Sequence, residues 1–237
     1  MAKKRKQVEK KKVKNEEDKI IKPAEAIEAT NNEKNIQNRQ IKYIITFMIV
    51  LILVIIAVVW IINGMKKFEY GGLKFEKIMY DKLPLYYGRI PITDVNKEVV
   101  NYYNMYLRND PRELRNIPIE GVIRLMKNAV ISIDSSIEGC EDNGIAGMSL
   151  GTFLRAAGIK TYPGTTNLTV AKESNITYAT CNQSENASVI IIKQGTENKI
   201  TQEGTNCYSI NFADCEINKA VERFMVATVA HSKGIEV

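Results

Sequence analysis

Residues 43–63 read YIITFMIVLILVIIAVVWIIN, and none of them carries a charge. About 20 apolar residues in a helix span the hydrocarbon core of a bilayer. The competing reading is a buried helix of a soluble core. A helix built from this stretch, however, is apolar on every face, and Thr46 is its one clearly polar side chain before the end. Tyr43 and Trp60 lie near its two ends, where amphipathic rings favour the membrane interface. A cleavable signal peptide fits poorly, because 42 residues precede the stretch and no small-x-small site follows it. The sequence therefore predicts one transmembrane helix acting as an uncleaved signal anchor.

Charge divides the chain at this span. Residues 1–42 hold 13 Lys/Arg against 7 Asp/Glu, whereas residues 43–237 hold 20 of each sign. The whole net charge of +6 thus belongs to the N-terminal tail. That tail is rich in Lys, Glu and Asn, has few apolar residues, and is expected to be a disordered basic tail. Basic residues next to a span favour the cytoplasmic side, which places residues 64–237 outside the cell. A nucleic-acid partner is not expected for the ectodomain, since that needs a clustered positive surface.

Cys140, Cys181, Cys207 and Cys215 all follow the span. An even set of cysteines in an oxidising compartment reads as two disulfides. Three pairings exist, and Cys140–Cys181 with Cys207–Cys215 is the expected one. A zinc site is the alternative, but the chain has no C-x-x-C and only one histidine, His231.

The remaining 174 residues predict an α+β domain. KFEYGGLKFEKIMY has Gly71-Gly72 between two alternating segments, a hairpin signal. LPLYYGRIPI reads as a strand near a sheet edge, because Pro84 and Pro91 interrupt it. In VVNYYNMYLRND, Tyr102, Asn104, Tyr106 and Arg108 alternate against Tyr103, Met105 and Leu107. AVISIDSS reads as a central strand. Residues 141–157 switch to helical spacing, with Gly144, Gly147 and Gly151 suited to close packing on a sheet. A phosphate-binding loop is the sharper alternative, but the glycine spacing matches neither common form and acids sit beside it. ITYATC, ASVIIIKQG, ENKITQ and TNCYSINF read as further strands, with NQSENAS as a hairpin turn. The last helix covers residues 215–233, with Asp214 as its N-cap and one apolar stripe through Ile217, Val221, Phe224 and Thr228. The expected architecture is a mainly antiparallel sheet with two helices on one face.

No catalytic constellation emerges. His231 falls in the last turn of the final helix, where a histidine commonly caps carbonyls. Asp134, Glu138, Glu141 and Asp142 cluster before the first helix and admit an acid/base pair or a cation site, though N-capping and solvation explain them as well. Tyr102, Tyr103 and Tyr106 suggest a platform for sugar or peptide, with ordinary sheet packing as the alternative. No metal and no cofactor are expected.

Four Asn-x-Ser/Thr triplets start at Asn167, Asn175, Asn182 and Asn186, and none occurs elsewhere. Each is weak alone, since Asn, Ser and Thr are turn residues. Their clustering on the side placed outside by charge makes them candidate glycosylation sites.

FEYGGLKFEKIMY, YNMYLRNDPRELRNIPIEG, LGTFLRAAGI and NCYSINFADCEINKAVERF resemble a family of single-span proteins encoded by small-genome archaea. The resemblance covers roughly residues 65–231. It implies an archaeal envelope protein and supplies no catalytic residues. The sequence thus points to a membrane-anchored binding or structural module whose partner is an envelope protein or a glycan. A carboxylate-dependent hydrolase or transferase, or a subunit of an envelope or secretion assembly, are the alternatives.

Overall fold

The computed structural model describes residues 24–93, 96, 98–135, 137, 139, 140, 142–183 and 186–237. They form two compact units, one ending at Asn63 and the other running from Gly64 to Val237. Residues 1–23 of the expected disordered tail lie outside the described residues, and from Ala24 the chain is already helical.

Helix α1 (Ala24–Met65) holds the apolar stretch, which extends over Asn38–Ile62 with a mean hydropathy of 3.4 and none of it buried. At about 1.5 Å per residue those 25 residues exceed the roughly 30 Å of a bilayer core. Among the described residues this is one helix long and apolar enough to cross a membrane.

The second unit opens with four strands, β1 (Lys67–Tyr70), β2 (Leu73–Tyr80), β3 (Leu83–Thr93) and β4 (Val99–Leu107), in an antiparallel sheet in chain order. The Gly71-Gly72 hairpin forms as expected, with both residues at positive φ (+58° and +70°) and Tyr70 opposite Leu73. β3 lies inside this sheet, paired on both sides, and not at its edge. Its two prolines fall near its ends, at the second position and the third from last.

The larger sheet corrects the antiparallel expectation. It has seven strands in the order β5 (Ile119–Glu120), β10 (Lys199–Gly204), β11 (Cys207–Phe212), β9 (Ser188–Gln194), β6 (Asn128–Ile133), β7 (Lys160–Thr165), β8 (Thr177–Tyr178). Only β10 and β11 pair antiparallel. The cause is the crossover helix α2 (Asn143–Ala156), which returns the chain to start β7 alongside β6 in the same direction. A short helix α3 (Leu168–Ser174) makes the second crossover, from β7 to β8. NQSENAS is therefore no hairpin turn, because β8 is an edge strand and β9 lies in the sheet interior. The run VIII in β9 is buried on both faces, as parallel strands commonly are.

α2 and the last helix, α4 (Ile217–Ser232), touch both sheets. Phe153 of α2 meets Tyr103 of β4 at a ring distance of 6.1 Å, while Gly147 and Gly151 face Ile133 and Ile131 of β6. Phe224 of α4 meets Tyr208 of β11, and Val226 and Ala230 lie against Gly71. One core joins Phe75, Met105, Leu154, Ile192 and Phe224. Eleven of the sixteen residues of α4 are buried, so it hides far more than the single expected stripe. Glu216, not Asp214, stands at its N-cap, and Asp214 takes a positive φ of 50°.

The disulfides pair Cys140 with Cys215 and Cys181 with Cys207, which replaces the expected connectivity. Cys207 begins β11 and Cys215 follows its far end. An extended strand advances about 3.3 Å per residue, so the two sulfurs are held apart by the strand itself. The Cys140–Cys215 bond instead joins the segments entering α2 and α4, beside an Asp142–Asn218 hydrogen bond of 2.7 Å. Cys181–Cys207 pins the segment after β8 over a second, smaller core of Val130, Ala179, Val189 and Ile191.

Candidate binding face

β-Strand alternation sends neighbouring side chains to opposite faces, and the register of β3 with β4 decides which tyrosines meet. Tyr87 lies opposite Tyr106, Arg89 opposite Asn104, and Pro91 opposite Tyr102. These six residues share the face of the four-stranded sheet turned away from the helices. The Tyr87 hydroxyl donates to Asn104 Oδ1 at 2.9 Å, and the Tyr87 and Tyr106 rings lie 5.3 Å apart. The Arg89 guanidinium sits 4.0 Å from the centre of the Tyr102 ring, a cation–π geometry. Tyr102 and Tyr106 remain 45% and 54% exposed. Cross-strand pairing orders these rings, and among the described residues of the domain it leaves two of them open to solvent.

Beside Tyr87 and Arg89 the same face carries a groove of about 320 Å³ bordered by Lys67, Glu69, Lys74 and Glu76. Lys67 and Glu76 approach to 3.9 Å across β1 and β2. Both are largely exposed, so this pair adds little stability. The arrangement offers flat apolar surfaces flanked by amide, guanidinium and carboxylate groups.

Tyr103, grouped with the other tyrosines in the sequence, points to the inner face against Phe153, and burial pushes its phenol up. Tyr87 and Arg89 were missed. The signal was present in LPLYYGRIPI, where both occupy positions of the same parity.

His231 does not serve merely as a carbonyl cap. Its Nδ1 accepts a hydrogen bond from the Ile123 N–H at 3.0 Å, tying the end of α4 to the segment before β6. The neutral ring that accepts this bond carries its proton on Nε2. Burial and the nearby Arg223 charge lower its pKa, and Glu236 opposes them.

The candidate carboxylates are engaged separately. Asp134 accepts from the Thr166 hydroxyl at 2.8 Å. Asp142 accepts from Asn218 Nδ2 and lies 3.4 Å from the Arg108 guanidinium. Glu138 and Glu141 lie outside the described residues. Among the described residues no group of three or more His, Cys, Asp or Glu side chains is placed to hold a metal ion.

Two buried charges on α4 were not singled out by the sequence pattern. Glu222 accepts from the Arg108 and Asn109 N–H groups at 2.6 and 3.0 Å and from Asn109 Nδ2 at 2.8 Å. Burial raises its pKa against the pull of these bonds. Arg223 donates to Ile117 O, Tyr70 Oη and Val237 O at 3.1, 2.9 and 2.8 Å, which links β1, the turn at residue 117 and the C-terminal segment.

The acceptor asparagines differ in accessibility. Asn175 is exposed in a left-handed conformation closing α3, and Thr177 beside it is exposed as well. Asn182 is exposed; its partner Ser184 lies outside the described residues. Asn186 is exposed, but Ser188 is buried and its hydroxyl accepts from the Met126 N–H at 2.9 Å. Asn167 is half-buried and caps α3 by accepting from the N–H groups of Thr169 and Val170.

No protein-family model, curated protein or solved structure matches this chain.

Proposed function

We propose that the protein is a single-span module of the cell envelope whose domain outside the membrane binds saccharide on the open face of its four-stranded sheet. The observation that carries this reading is the outward-facing tyrosine set, of which Tyr102 and Tyr106 are exposed. Tyr87, Tyr102 and Tyr106 share one face, with Asn104 and Arg89 between them. A sugar ring presents an apolar face and a rim of hydroxyls, which matches aromatic planes flanked by hydrogen-bonding side chains.

The orientation in this proposal has the N-terminus in the cytoplasm. It is supported by the basic residues before the span and by the two disulfides, which form and persist in oxidising compartments. The resemblance to envelope proteins of small-genome archaea is consistent with it. An N-linked sugar belongs at Asn175 before Asn186 and Asn167, because the acceptor motif needs both the amide and the hydroxyl two residues on.

Binding of the full chain in detergent to an array of cell-surface glycans tests the proposal. A Tyr102→Ala, Tyr106→Ala double variant is expected to weaken binding at least tenfold, a loss of about 1.4 kcal/mol or more. Its thermal midpoint should stay near that of the parent, since both rings are exposed. Undiminished glycan binding by the double variant would show that the ligand sits elsewhere.

A further inference from the structure

The inner face of the same sheet borders a cavity of about 410 Å³. Its walls come from Ile90 on β3, Tyr103 on β4, Phe153 on α2, Val229 on α4 and Ile159 just before β7. It lies between the four-stranded sheet, α2, α4 and the segments at residues 123–125 and 157–159, and it opens to solvent beside the exposed Pro91, Thr93 and Arg124. It falls in the size range of small-molecule pockets, about 300–1,000 Å³.

The charged side chains of the lining are Arg124 and Lys233. Arg124 and Lys233 are both exposed and lie next to the half-buried His231. Lys233 Nζ makes one hydrogen bond to Gly72 O, which leaves further ammonium protons for another acceptor. No acidic side chain lines the cavity among the described residues; Glu236, which acts on His231, stands outside the lining. Apolar walls beneath two cations suit a molecule with the opposite charge at one end of a hydrocarbon body.

We infer that this cavity binds an anionic amphiphile, with its alkyl chain against Ile90, Phe153 and Val229 and its carboxylate or phosphate head at Arg124 and Lys233. Along β4 the site is separate from the tyrosine face, because Tyr103 points inward and Tyr102 outward, and Pro91 at the end of β3 borders both. It does not depend on the saccharide reading.

The test uses the full chain in lipid nanodiscs with a diazirine-bearing decanoate as probe. After irradiation, adducts are located by peptide mass spectrometry. The expected adducts fall on residues 90–92, 103, 153–159 and 228–233. Unlabelled decanoate and decyl phosphate should displace the probe, and decyltrimethylammonium should not. Filling the space with Ala156→Trp should reduce labelling at these residues more than tenfold. An Arg124→Gln, Lys233→Gln variant changes only exposed side chains and should reduce it several-fold with the fold intact. Adducts confined to α1 would overturn the inference, since they would report partitioning from the bilayer alone. Equal displacement by the cationic amphiphile, or unchanged labelling in the glutamine variant, would overturn the assignment of an anionic head.

Discussion

Replacing Glu222 with alanine is expected to lower the unfolding free energy of the domain by about 3 kcal/mol or more. The carboxylate is buried and accepts two backbone N–H groups and one amide at the end of β4. Alanine leaves all three donors without a partner inside the protein. Each unsatisfied buried group costs about 1–3 kcal/mol, and water entering the space left behind recovers part of it. Glu222→Gln should cost less, because one acceptor oxygen and the shape remain. Urea denaturation followed through the tyrosines reads the difference, since the single tryptophan, Trp60, lies in α1 and does not report on the domain. An alanine variant as stable as the parent would mean that Glu222 does not hold the turn after β4.

The second large effect is loss of the Cys140–Cys215 disulfide. It closes a loop of 75 residues, against 26 for Cys181–Cys207. Chain-entropy arguments give about 4.5 kcal/mol for the longer loop and about 3.5 kcal/mol for the shorter. A Cys140→Ser, Cys215→Ser variant is therefore expected to be less stable than a Cys181→Ser, Cys207→Ser variant by about 1 kcal/mol. Their failures should also differ in kind. The first bond ties the segments that lead into α2 and α4, two helices of the main core, whereas the second fixes a surface segment over a small satellite core. Non-reducing peptide mapping should recover Cys140 with Cys215. Recovery of Cys207 with Cys215 would contradict the placement of β11.

Several elements were legible in the residues. The charge-free stretch, the Gly71-Gly72 hairpin, the helices at 143–156 and 217–232, and the strands carrying Tyr102 and Ile131 all follow from local periodicity. What escaped was non-local. β7 reads KTYPGT, and Pro163 with Gly164 disguises it as a loop. Gly164 is there because a Cβ would come within 2.6 Å of Val130 Cγ1 on the neighbouring strand. Without β7 the crossover is invisible, and the sheet appears antiparallel. α3 was hidden for a related reason: it is seven residues long, and Asn167, which caps it, also spells an acceptor triplet. The apolar stripe of α4 was correct as far as it went. A helix covered by sheets on both sides must bury its polar positions too, and Glu222 and Arg223 are acceptable there only because other segments supply their partners. Of the open tyrosine face, the parity of Tyr102 and Tyr106 was visible, but the pairing that sets Arg89 over Tyr102 depends on strand register.

The central claim is that the disulfide-bonded domain lies outside the cell and the basic tail inside. Labelling of intact cells with a membrane-impermeant amine reagent tests it most directly, because lysines occur on both sides of the span. The account predicts label on the exposed Lys74, Lys77, Lys82 and Lys127 and none on Lys3, Lys10 or Lys34 until the cells are opened. Label on the tail lysines of intact cells, with the domain lysines spared, would contradict it.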